Sequence, residues 1–116
     1  MHPRVSPKRG HPTTVFRIGF TAPAAAGRSG VFERDYSVQL DVTGNGCKQA
    51  AVQTVPEAKA GERVRLAFRP GKGWCRGKGR GTIYMSEGPI CDPGTDPCPA
   101  SPSSTRVIAR FGFRVR

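Results

Sequence analysis

From residue 106 to residue 116 every odd position is apolar (Val107, Ala109, Phe111, Phe113 and Val115), and four of the six even positions are arginine. Successive side chains in a strand point to opposite faces, so this pattern predicts a β-strand with one buried face and one basic face. The same alternation runs through residues 63–69, Arg-Val-Arg-Leu-Ala-Phe-Arg. Strand signals begin at Thr13: Phe16, Ile18 and Phe20 alternate with Arg17 and Gly19 in a strand that ends at Pro23. A second strand is expected over residues 35–43, with Tyr36, Val38, Leu40 and Val42 on one face and Ser37, Gln39 and Asp41 on the other. Gly44-Asn45-Gly46 then supplies a turn tolerant of positive φ. Extended structure resumes over residues 47–55, and a short strand is expected over residues 82–86. Residues 23–30 read as a loop, residues 56–61 as at most one helical turn ended by Gly61, and residues 88–104 as a Pro-rich loop. Six or seven short strands joined by turns, with almost no helix, predict an all-β fold of two facing sheets.

A chain of 116 residues makes one domain with a single modest core. Residues 1–12 read as a basic, Pro-rich and flexible lead-in, and residues 13–116 as the domain. No stretch approaches the roughly 18 consecutive apolar residues of a transmembrane segment, and the lead-in lacks the apolar core of about 7 to 15 residues that a signal peptide needs. Four cysteines in so small a chain nevertheless suit an oxidising compartment, which predicts an extracytoplasmic protein, secreted or lipid-anchored, with a missed upstream start, an excised domain or a removed leader to account for the missing signal.

The four cysteines, Cys47, Cys75, Cys91 and Cys98, allow three pairings. Cys91 and Cys98 bracket the turn formers Asp-Pro-Gly-Thr-Asp-Pro, which favours a bond between them and leaves Cys47 to meet Cys75. Closing the longer loop contributes roughly 3 kcal/mol through the entropy of the unfolded chain. A structural zinc site is the competing expectation, but no Cys-x2-Cys pair occurs.

The segment GWCRGKGRGTIY, residues 73–84, invites two ligand readings. A phosphate-binding P-loop fails, because Gly77-Lys78 is followed by Gly79 rather than Ser or Thr and no helix follows. An RNA-binding loop would use Arg76, Lys78 and Arg80 with Trp74 as a stacking surface. The reading preferred is a Gly-rich bend leading into the strand at Thr82, with Trp74 packed in the core beside the Cys47–Cys75 bond. His2 and His11 both lie in the lead-in, and the carboxylates, including Asp92 and Asp96, are scattered over strand ends and loops. No catalytic residues, metal or cofactor are therefore expected.

The charge balance narrows the possible partners. Nineteen Lys and Arg against eight Asp and Glu give a net charge of +11, and Arg outnumbers Lys 14 to 5. Arg63, Arg65, Arg69, Arg106, Arg110 and Arg114 are the candidate anion-binding surface, their forked donors suited to phosphate or carboxylate groups. A merely solvated basic surface is the competing reading. The partner expected is an anionic cell-wall polymer or an acidic protein. A nucleic acid, bound inside the cell with the cysteines reduced, is the alternative.

SPKRGHPTTVFRIGFTAP at residues 6–23 resembles the opening of bacterial immunoglobulin-like domains. AGERVRLAFRP at 60–70, GWCRGKGRGTIY at 73–84 and RFGFRVR at 110–116 look like later strands of the small secreted or lipid-anchored domains of that type in actinobacterial genomes. The resemblance implies an immunoglobulin-like β-sandwich of about seven antiparallel strands outside the membrane, a binding or structural module without enzymatic activity. It transfers no ligand-binding residue to this chain. The sequence departs from antibody-type domains in lacking a Tyr-x-Cys corner, and a bond from Cys47 to Cys75 spans a shorter segment than the usual bond between sheets.

Overall fold

The computed structural model describes residues 1–89 and 104–116, and these contain nine strands and no helix. The strands are β1 (Arg4–Ser6), β2 (Arg9–Gly10), β3 (Phe16–Thr21), β4 (Gly27–Ser29), β5 (Phe32–Gly44), β6 (Cys47–Val55), β7 (Arg63–Phe68), β8 (Gly77–Pro89) and β9 (Ser104–Val115). They form two sheets. The smaller has the order β1-β3-β7, and the larger β2-β9-β8-β5-β4, with β6 beside β4 on the same edge of β5. All pairings are antiparallel except that of β2 with β9.

Period-two burial explains why these segments are strands. Tyr36, Val38, Leu40 and Val42 of β5 are completely buried, as are Phe16 and Phe20 of β3. Register then carries the apolar face from strand to strand, since Phe16 pairs with Phe68, Ile18 with Leu66 and Phe20 with Val64. The two apolar faces meet in one core. Phe16 of the smaller sheet lies 4.7 Å, centroid to centroid, from Phe113 of the larger and 5.8 Å from Trp74. Phe20 meets Tyr36 edge-on at 5.5 Å. The Tyr36 hydroxyl donates to the Ala24 carbonyl at 2.6 Å, so this buried ring also pins the segment between β3 and β4.

Several expectations change in the structure. Residues 1–12 supply β1 and β2 to opposite sheets, because Val5 is core and backbone pairing extends to Arg9 and Gly10. Strand β5 starts at Phe32, and part of the expected loop 23–30 is β4, paired to it as a hairpin. In place of a helical turn, residues 56–61 run past β4, where Ala58 bridges Ala26.

The largest difference concerns residues 73–84. The run Gly77-Lys78-Gly79-Arg80-Gly81 is not a bend but the first third of β8. Gly79 and Gly81 face inward beneath aromatic rings of β9: a Cβ at Gly79 would lie 2.4 Å from the Phe113 ring, and one at Gly81 2.0 Å from the Phe111 ring. Glycine in a strand usually weakens it, but here the bare backbone is the floor on which two phenylalanines pack. Trp74 is buried as expected, and its indole nitrogen donates to the Thr14 carbonyl at 2.8 Å.

Along one side β6 is tied to β7 by Gln53, and to the connection between β7 and β8 by Gln49 and the Cys47–Cys75 disulfide. Gln53 donates to the Ala67 carbonyl on the outer edge of β7, and Gln49 donates to the Gly73 carbonyl while accepting from the Cys75 amide. On the other side the chain itself crosses from β1 to β2. The expected Cys91–Cys98 bond and most of the loop 88–104 lie outside the described residues.

Packing of Phe113 onto Gly79 generates a prediction. Gly79→Ala lowers unfolding stability by about 1–3 kcal/mol, the usual cost of overpacking. Gly112→Ala, whose Cβ meets only the Gly79 carbonyl oxygen at 3.9 Å, leaves it nearly unchanged. Urea denaturation of the two variants checks the contrast, and equal effects would contradict it.

Candidate functional site: the basic outer faces of the two sheets

Both inner faces are consumed by the core, so the polar residues of each sheet are displayed on two faces that point apart. The arginines singled out from the sequence are divided between them. Arg63 and Arg65 stand on the outer face of β7 in the smaller sheet, and Arg110 and Arg114 on the outer face of β9 in the larger. Arg69 follows β7 and is exposed.

Arg106 leaves the set because the strict alternation of residues 106–116 breaks. Ile83 pairs with Ala109 but Tyr84 with Val107, so Ile108 is an extra residue, a β-bulge. Beyond it the faces exchange. Arg106 falls opposite Met85 on the inward side, and Val107, 38% exposed, stands outward beside Tyr84.

Register exposes a grouping that the sequence conceals. On the outer face of the larger sheet, Lys48 of β6 pairs with Thr43 of β5, Thr43 with Lys78 of β8, Lys78 with Arg114 of β9, and Arg114 with Arg9 of β2. Four cations thus stand in one transverse row across five strands. At about 4.8 Å per strand the row is roughly 19 Å long. Arg80 and Arg110 flank it, pairing with Gly112 and Thr82 respectively. Asp41 stands opposite Arg80, and its carboxylate accepts hydrogen bonds from Gln39. A shallow cleft of about 640 Å³ opens there, lined among others by Lys48, Lys78, Arg80 and Asp41.

Among the described residues, none of the row's cations forms an ion pair. Like charges directly opposite on neighbouring strands are destabilising, and Lys78 with Arg114 and Arg114 with Arg9 are two such pairs. The opposite end of the larger sheet is arranged differently. There Arg34 pairs with Glu87 at 2.9 Å and Arg28 with Glu33 at 3.4 Å, and Asp35 and Glu57 lie close by around a second cleft. Charge is therefore segregated along β5: among the described residues, carboxylates and paired arginines gather at one end, and cations outnumber the single Asp41 at the other.

The smaller sheet carries its own basic face. Arg4, Arg17, Arg63 and Arg65 line a cleft of about 500 Å³ that no carboxylate lines. Among the described residues no group of three or more His, Cys, Asp or Glu side chains is gathered. His11 is held at the surface, its Nδ1 3.4 Å from the Arg116 carbonyl.

Lys48, Arg9, Arg4 and Arg17 were not singled out from the sequence, and Lys78 and Arg80 were read as part of a loop. Carrying the period-two pattern backward from Thr82 through the glycines would have placed Lys78 and Arg80 on a strand face. Cross-strand register, which aligns Lys48 and Arg9 with them, has no signal in a single chain.

At the acidic end, burial first and the Glu33 charge second raise the pKa of Asp35 above its ordinary 3.8. Folding then favours the protonated acid. Its stabilising contribution is complete below the ordinary value and is lost as pH rises through the raised one. Asp35→Asn accordingly raises the melting temperature at pH 7 and gives no gain at pH 3, a difference read by thermal denaturation at the two pH values. Comparison with protein-family models, with curated proteins and with solved structures finds no match to this chain, so its functional reading rests on the geometry of these faces.

Proposed function

We propose that this is a non-enzymatic binding module acting outside the cytoplasm, and that it holds a linear phosphodiester polymer of the cell envelope against the outer face of its larger sheet. The observation that carries the reading is the row Lys48-Lys78-Arg114-Arg9, in which Lys78 stands opposite Arg114 and Arg114 opposite Arg9, and in which no cation forms an ion pair among the described residues. Such an arrangement costs the free protein stability, and a bound polyanion removes that cost. The row matches an extended chain of negative charges better than a single ion, because its positive groups are spread over about 19 Å.

Two further features support the reading. The Cys47–Cys75 bond suits an oxidising compartment. The strand order β1-β3-β7 facing β9-β8-β5-β6 corresponds to the A-B-E and G-F-C-C′ order of immunoglobulin-like sandwiches, which favours membership of that class. Nucleic acid fits less well. Single-stranded nucleic acid is gripped by aromatic side chains on which bases stack, and along this row the neighbours are Thr43, Ala50, Thr82 and Gly112. Phe111 and Phe113, the aromatic residues closest in sequence to Arg110 and Arg114, face the core instead.

Binding to a glycerol-phosphate oligomer, followed by fluorescence anisotropy at several salt concentrations, tests the proposal. Four phosphate contacts predict a slope of log K against log salt of about −3, reduced by about half in Lys78→Gln/Arg114→Gln. A slope near zero, or one that the double variant leaves unchanged, would contradict the reading. Tighter binding of a single-stranded DNA oligomer of equal charge would favour the nucleic-acid alternative.

A further inference from the structure

The structure assigns a second, discrete anion site to the opposite face of the molecule, a cleft on the smaller sheet that takes a compact dianionic group, a phosphomonoester. This inference is independent of the row on the larger sheet, and it rests on one glycine and the four arginines around it. Gly19 is the central residue of a transverse row in which Arg4 of β1 and Arg65 of β7 are its direct neighbours. Arg17 stands two residues away on the same face of β3, and Arg63 pairs with Thr21 at the other diagonal. With no side chain at position 19, the Arg63 guanidinium lies across the gap: a Cβ there would be 3.1 Å from its Nη2 and 3.4 Å from its Nε.

Arg63 is also fixed in place. Its Nη1 donates to the His2 carbonyl at 2.7 Å and to the Thr21 hydroxyl at 3.3 Å. Those bonds use one nitrogen and leave Nε and Nη2, the edge that grips two oxygens of one phosphate in parallel, without a hydrogen-bond partner among the described residues. A guanidinium already positioned loses little freedom on binding, whereas Arg4, Arg17 and Arg65 can close from three sides.

The chemistry of this cleft differs from that of the row. Four arginines line one cleft, and no carboxylate lines it. Its volume of about 500 Å³ falls in the range of small-ligand sites. Concentrated charge of this kind selects a dianion over a monoanion, so a phosphomonoester or pyrophosphate is preferred to a phosphodiester. A free sugar phosphate and the phosphorylated end of a polymer both present that group.

Calorimetric titration with pyrophosphate tests the assignment. One pyrophosphate binds per chain, and Arg17→Gln/Arg65→Gln weakens it by about tenfold or more, the scale of losing charge-assisted hydrogen bonds. Both side chains are exposed, so the melting temperature of that variant stays unchanged. Gly19→Ala, which displaces the Arg63 guanidinium, weakens binding as well. Lys78→Gln/Arg114→Gln leaves it intact, which separates failure of this site from failure of the row. Glucose 6-phosphate and a glycerol-phosphate oligomer ending in a phosphomonoester, titrated in parallel, identify the source by whichever binds tighter. Pyrophosphate affinity that is unchanged in Arg17→Gln/Arg65→Gln, or equal competition by dimethyl phosphate, would overturn the assignment.

Discussion

Phe111 and Phe113 rest on the bare backbone of Gly81 and Gly79, and this cross-strand packing fixes both what the larger sheet buries and what it displays. A one-residue slip between β8 and β9 would put two phenylalanines in water and turn Lys78, Arg80, Arg110 and Arg114 toward the core. The aromatic contacts of Phe113 with Phe16, and of Phe16 with Trp74, tie the same register to the smaller sheet. The basic face is therefore held by the interior. Its cations need no partners of their own to stay in line.

That separation of roles runs through the molecule. Stability comes from aromatic and aliphatic side chains between the sheets, reinforced along one edge by the Cys47–Cys75 bond and by the bonds of Gln49 and Gln53 to backbone atoms of the opposing side. Such links lie between the sheets and leave the outer faces to the charged residues. At one end of β5 that charge is paired, by Arg34 with Glu87 and Arg28 with Glu33, and at the other it is left open.

The alternating segments were legible from the sequence because period-two burial leaves a direct mark, and β3, β5, β6, β7 and much of β9 follow it. Two kinds of feature were not. Glycine carries no hydropathy, so Gly77, Gly79 and Gly81 looked like a bend, although Gly79 and Gly81 occupy inward positions completed by Phe113 and Phe111 of β9, and Gly77 lies against the β5 backbone at Thr43 and Gly44. The bulge at Ile108 is hidden for the opposite reason: the pattern through residue 106 looks unbroken, yet backbone pairing displaces Arg106 from the face its neighbours share. Charge alone indicated an anionic partner without indicating where. Of the six arginines singled out, register divides four between two opposite faces and brings in Lys48, Lys78 and Arg9 on one and Arg4 and Arg17 on the other.

Residue-resolved NMR during addition of a glycerol-phosphate oligomer shows whether an extended polyanion lies along the Lys48-Lys78-Arg114-Arg9 row of the larger sheet. The account predicts amide shift changes concentrated at Arg9, Lys48, Lys78 and Arg114, with Arg34 and Glu87 at the far end of the sheet unmoved. Shifts spread evenly over the surface, or absent from those four residues, would contradict it.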